Sequence, residues 1–219
     1  MKQVFDNISH EMSTLTTKRY STSFSLGIKM LHAEIQQPIY SVYGFVRFAD
    51  EIVDSFHGFD KEWLLEDFRK QTYQAIKDGI SLNPILNSFQ WVVNKYQIPL
   101  ELIETFLESM KMDLDKQAYD EDQYKKYILG SAEVVGLMCL KIFVDGNETE
   151  YLRLKPAAMK LGSAFQKINF LRDLNADYKH LGRVYFPGID MNEFNATVKH
   201  DIERDIEADF HAGYLGILE

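Results

Sequence analysis

The sequence is short of cysteine, proline and glycine, with one, five and twelve in 219 residues. So few backbone breakers exclude collagen-like and low-complexity chains, and 46% hydrophobic residues suffice for one domain with its own core. The single thiol, Cys139, lies in the apolar stretch Gly136–Leu140. It excludes a disulfide framework and a thiolate metal site, and it fits a reducing cytoplasm. Cations are scarce as well: 24 Lys and Arg face 33 Asp and Glu, a net charge of −9, so no nucleic-acid partner is expected. No apolar run approaches the roughly 18 residues that span a bilayer. The N-terminal residues are too polar for a signal peptide, so a cytoplasmic chain is expected. The absence of a Gly-x-Gly-x-x-Gly fingerprint implies that no NADPH is needed.

What is present is a helical rhythm. Apolar residues recur at three- and four-residue steps, and strict alternation is nearly absent. Asp60 before Lys61, Asn83 before Pro84, Pro99 before Leu100 and Asn147 before Glu148 read as helix starts. The punctuation predicts helices over 10–33, 37–56, 60–79, 83–96, 99–117, 121–144, 148–179 and 192–217, packed as one all-α domain over 1–219. The amphipathic pattern from Ile206 to Leu218 is still running at the last residues, which reads as a truncated chain.

Two helices carry acidic stripes among apolar neighbours. At about 100° per residue, Tyr43, Arg47, Asp50 and Asp54 fall within roughly 60° of one another, with Glu51 at the margin. Val42, Phe45, Val46, Phe48, Ile52, Val53 and Phe56 surround them. Ionised carboxylates there repel and lose hydration unless a cation or strong donors compensate. Farther on, Gln166, Asn169, Asp173 and Asp177 project within about 80° of arc. Leu161, Phe165, Ile168, Phe170 and Leu171 flank them. Hard oxygen ligands on facing helices suit Mg²⁺ when a phosphate completes its shell. The plain alternatives are a solvated helix face for either motif, a core aromatic for Tyr43 and an ion pair from Arg47 to Asp50 or Glu51.

The pattern Tyr43-x-x-x-Arg47-x-x-Asp50-Glu51-x-x-Asp54, followed by Asn169-x-x-x-Asp173-x-x-x-Asp177, resembles the squalene/phytoene synthase family, and within it the bacterial phytoene synthases. Tyr20-Ser21-Thr22-Ser23-Phe24 and Gly182-Arg183-Val184-Tyr185-Phe186-Pro187 are similar to further segments of that family, so the likeness runs from about Tyr20 to Pro187. It implies an isoprenoid-synthase bundle around a central apolar cavity. It also implies head-to-head condensation of two prenyl diphosphates, here geranylgeranyl diphosphate, through a cyclopropyl intermediate to phytoene in carotenoid biosynthesis. By position, Asp50, Asp54, Asn169, Asp173 and Asp177 would hold Mg²⁺, with Mn²⁺ as a substitute. Arg47, Arg172 and Arg183 would contact diphosphate, Ser21, Ser23 and Gln166 would make polar contacts nearby, and Phe24 and Tyr43 would line the cavity. Phe45, Phe165 and Phe170 are further aromatics available to face a carbocation. Greasy substrate and product imply transient contact with a membrane surface. Where the family commonly has a tyrosine associated with the second step, this chain has Leu129, with Tyr127 two residues away.

Other readings stay open here. A C15-using squalene or dehydrosqualene-type synthase differs only in cavity depth. Asp54-x-x-His57 and Asp177-x-x-His180 have the spacing of di-iron ligand pairs. A catalytically silent scaffold would keep the fold without the chemistry.

Overall fold

A computed structural model describes residues 1–115, 119–181 and 185–218. Among these residues there is no strand, and no helix is long and apolar enough to cross a membrane. The chain forms two compact units, Met1–Leu100 with Lys141–Asn147, and Glu101–Leu140 with Glu148–Glu219.

The first unit contains α1 (Lys2–Tyr20), α2 (Thr22–Met30), α3 (Ala33–Asp54), α4 (Lys61–Asp78) and α5 (Pro84–Tyr96). The single helix expected over 10–33 is two helices, and the reason is Ser21. Its extended backbone breaks the first helix, while its hydroxyl accepts from the Phe24 amide at 3.2 Å and caps the second. Predicted starts with cap chemistry hold: Asp60 accepts from the Trp63 amide at 2.9 Å, and Asn83 from the Ile85 and Leu86 amides ahead of Pro84. Gly79, at φ +69°, closes α4 in the left-handed conformation that favours glycine. The core of this unit is a stack in which Phe45 of α3 lies 3.9 Å from Phe89 of α5 and 5.6 Å from Phe68 of α4.

The second unit contains α6 (Leu100–Asp115), α7 (Glu121–Ile128), the first turns of α8 (Val134–Phe143), α9 (Glu148–Leu181) and α10 (Ala196–Leu218). The helix predicted over 121–144 is interrupted by a π turn at Leu129–Glu133. Gly130 lies so close to α6 that an added Cβ would sit 2.5 Å from Ser109 Cβ and 2.7 Å from the Thr105 carbonyl, an approach the widened turn accommodates. α10 starts at 196 rather than 192, because Asn195 accepts from the Thr197 and Val198 amides and fixes the cap there. It packs on α9 through glycine: a Cβ on Gly213 would meet Leu161 Cβ at 2.7 Å. Cys139, in α8, is shielded enough that burial pushes its thiol up to about 12, which leaves it protonated and inert.

Candidate active site

In the first unit the end of α1, the cap of α2 and one face of α3 bring together most of the residues expected there. Asp50 and Arg47 lie one turn apart, and Arg47 Nη1 donates to Asp50 Oδ2 at 2.6 Å. The other terminal nitrogen donates to Glu51 Oε1, and the guanidinium lies 4.3 Å over the Tyr20 ring. Burial opposes the charge on Arg47, but Asp50 and Glu51 outweigh it and hold the guanidinium more firmly protonated than usual. Its Nε is buried and has no acceptor among the described residues. One cation thus bonds both carboxylates and offsets half of their charge, part of the compensation that the apolar setting of α3 demands. The ion pair set out above as the plain alternative for Arg47 therefore exists, and it is compatible with a site.

One turn toward the start of α3, Tyr43 lies with its ring 5.1 Å from that of Phe24. Burial, with Asp50 adding to it, raises the pKa of its hydroxyl despite Arg47. Ser21 caps α2 ahead of Phe24, the first ring of this pair. Ser23 is exposed, and Asp54 ends α3 half-buried. Tyr20, under the guanidinium, and Glu51, its second partner, are the residues that sequence reasoning left out or put at the margin. The i, i+4 spacing from Arg47 signalled Glu51. Nothing local signalled Tyr20.

In the second unit, α9 carries Gln166, Asn169 and Asp173. Asn169, Phe165 and Ile168 are exposed, and Gln166 is half-buried. Arg172 grips the neighbouring Asp173 with two donors, Nε to Oδ1 at 2.8 Å and Nη2 to Oδ2 at 2.5 Å. Arg183 lies outside the described residues, as do the side chains of Asp177 and His180. Two aromatics offered for the cavity are core instead. Phe45 is the centre of the phenylalanine stack, and Phe170 lies 4.1 Å from Tyr185 in a cluster with Tyr119, Tyr127 and Phe186. Tyr127 donates to Asp113 Oδ2 at 2.7 Å, and burial beside that carboxylate raises its pKa well above normal.

Among the described residues no three His, Cys, Asp or Glu side chains gather to hold a metal unaided. The side chains of Asp177 and His180, which belong to the magnesium and di-iron readings, lie outside the described residues. His57 is exposed, with Nδ1 3.4 Å from the Lys61 ammonium.

The family model for squalene/phytoene synthase matches residues 17–215. The chain is 28% identical over 206 residues to a 4,4'-diapophytoene synthase of Staphylococcus haemolyticus, covering 92% of this chain and 69% of that one. It is 26% identical over 199 residues to a phytoene synthase of Arthrospira platensis, covering 86% of this chain and 64% of the other. The chain thus spans about two thirds of the length of these relatives. Two solved structures share its fold with a TM-score of 0.83. One is a dehydrosqualene synthase in complex with ligand (21% identity; 95% of this chain, 77% of that one). The other is the squalene synthase HpnC from Alicyclobacillus acidocaldarius (23% identity; 97% and 84%).

Proposed function

Because the chain belongs to the squalene/phytoene synthase family, we propose that it is a Mg²⁺-dependent prenyltransferase that joins two geranylgeranyl diphosphates head to head, through a cyclopropyl diphosphate, into phytoene. The observation that carries this reading is the array on α3, where Arg47 is clasped by Asp50 and Glu51 one turn from the Phe24–Tyr43 ring pair. Asp50 and Asp54 on α3, and Asn169, Asp173 and Asp177 on α9, are the groups that would hold Mg²⁺. The bound ion supplies Lewis-acid neutralisation of the charge that develops on the departing diphosphate.

The chain's own residues do the rest. The planar fork of Arg47 matches a diphosphate as well as it matches a carboxylate, and its buried Nε–H has no acceptor among the described residues. Arg172 and Arg183 are assigned the same duty toward a second diphosphate. The rings of Phe24 and Tyr43 present π faces to an allylic cation and have no nucleophile that would trap it, since burial keeps the Tyr43 hydroxyl protonated. Leu129 leaves no hydroxyl at the position the family associates with the second step. The substrate and product, being greasy, support transient contact of this cytoplasmic enzyme with a membrane surface.

Incubation with Mg²⁺ and either farnesyl or geranylgeranyl diphosphate, followed by extraction of hydrocarbons, tests the reading. A C40 product supports it. A C30 product, for which the diapophytoene and dehydrosqualene synthases among its relatives give grounds, keeps the family chemistry and overturns the substrate. Absence of product together with absence of Mg²⁺-dependent stabilisation by diphosphate overturns the enzyme and favours a scaffold.

A further inference from the structure

Helix α1 is built inside out. The residues it buries are small and polar, Ser9, Ser13, Thr16 and Thr17, and Ser13 packs closely enough on α3 that a Cβ on Gly44 would lie 3.0 Å from its Oγ. The residues it turns to solvent, Val4, Ile8, Met12 and Leu15, form an apolar stripe at four- and three-residue steps, and Val4 is 61% exposed. Helix α2 continues the pattern. It buries Ser25 and Ile28 and holds Leu26 and Met30 in the open at 63% and 83% exposure. Runs of large exposed side chains of this kind mark an interaction surface.

The charges beside them identify the partner. From Met12 to Ala33 there is no acidic residue, in a chain with 33 of them, whereas Lys18, Arg19 and Lys29 are all present and exposed. Glu11 is exposed at the edge of the α1 stripe, so the cations border the apolar side chains from Leu15 onward, and that stretch suits a headgroup layer of anionic lipid, into which Leu and Met insert while Lys and Arg meet phosphates. A second copy of the chain fits poorly, because a two-fold interface would set this basic rim against itself. The remaining surface, with the net charge of −9 drawn from elsewhere, is repelled by the same membrane, so this face would be turned toward it.

We propose that the outward faces of α1 and α2 form the surface on which this protein docks to anionic membranes. This deepens the function proposed above and rests on it for the identity of the cargo. Ser21 and Phe24, which separate and begin the two helical faces, belong to the candidate site, so a prenyl chain leaving the bilayer here enters beside it.

The test is co-sedimentation of the full chain with vesicles of phosphatidylcholine alone or with one third phosphatidylglycerol. Partitioning onto the anionic vesicles is expected to exceed that onto neutral ones on the order of 100-fold, from three cations at the surface, and to weaken in high salt. Leu26→Asp with Met30→Asp should reduce it at least about 10-fold with an unchanged circular dichroism melt. Neutralising Lys18, Arg19 and Lys29 to Gln should abolish the lipid selectivity and leave the apolar residues in place. No binding to anionic vesicles, binding that both variants leave intact, or a dimer that Leu26→Asp with Met30→Asp dissolves in the absence of lipid would overturn the proposal. Hydrocarbon formation from detergent-dispersed substrate, measured alongside, separates the two readings. Vesicle binding without product removes the enzyme and keeps the surface, and product without vesicle binding does the reverse.

Discussion

Replacing Asp209 with Ala tests whether α9 and α10 are joined by charge. Asp209 and Lys167 are nearly buried, their side chains 8% and 11% exposed, and their charged atoms are 2.8 Å apart. Asp209 also accepts from Lys160 at 2.7 Å and from Ser163 at 2.9 Å. Removing one member of a buried pair costs about 3–5 kcal/mol, because the other is left desolvated and uncompensated. Two features lower that figure. Lys160 is half-exposed and can turn to water, and Lys167 keeps a second bond of 2.5 Å to the exposed Asp205. We therefore expect a loss of roughly 2–4 kcal/mol. It is read as a fall in the urea midpoint at unchanged m-value in the transition that reports α9 and α10. The combined change Asp209→Leu with Lys167→Met, which removes both charges, should recover most of the loss. The sign of the pH dependence follows from Asp209 itself. Burial pushes its pKa up, but the bonds from Lys160, Lys167 and Ser163 together outweigh it and hold the carboxyl below its ordinary range. The stabilisation is complete above the usual carboxylate pKa and fades as the pH falls through the lowered one. A loss under about 0.5 kcal/mol, or one that the double variant fails to relieve, would refute the argument.

Three further outcomes are expected. Asp50→Ala and Asp173→Ala should each change the melting free energy by less than about 1 kcal/mol, since both carboxylates are partly exposed and Arg47 keeps Glu51, while product formation falls about 100-fold or more; unfolding of either variant would make its role structural. Glu133→Gln should stabilise the protein at neutral pH. Burial, opposed by Lys160 and Lys167, raises the Glu133 pKa, so its ionised form burdens the fold above that raised pKa and the gain vanishes below the ordinary Glu range, as thermal melts across pH would show. Gly130→Ala should cost about 2–3 kcal/mol, because the new methyl meets Ser109 and the Thr105 carbonyl, and denaturant titration showing no loss would mean the π turn yields freely.

The parts of this structure that were legible in the sequence are those decided within one helical turn. Asp60 and Asn83 mark helix starts because a side-chain oxygen satisfies amides two or three residues on, and Arg47 finds Asp50 and Glu51 because three- and four-residue steps share a face. The break at Ser21 was hidden because the apolar rhythm runs through it, and only the hydroxyl caught by the Phe24 amide divides α1 from α2. The π turn was hidden for a different reason. It answers the approach of α6 to Gly130, a contact between residues about twenty positions apart. The same holds for Lys167 and Asp209, which are 42 positions apart, and for Phe45 and Phe170, whose aromatic character suited a cavity wall as well as a core. Local pattern shows which side chains share a face, and packing decides whether that face meets a ligand, a neighbour or water.

Under the proposed function, the α3 array is a site held in wait for its ligand without unfolding its helix. Two carboxylates on a largely buried helix are costly, and Arg47 offsets the cost by binding both while resting on Tyr20. The same fork that satisfies carboxylates satisfies a diphosphate, so under the proposed function a diphosphate competes with Asp50 and Glu51 for the guanidinium instead of finding it already committed elsewhere in the fold. On that reading each bond that Arg47 gave up to phosphate would release a carboxylate oxygen on the same face, of the kind Mg²⁺ takes alongside phosphate, so diphosphate and cation would favour each other at α3.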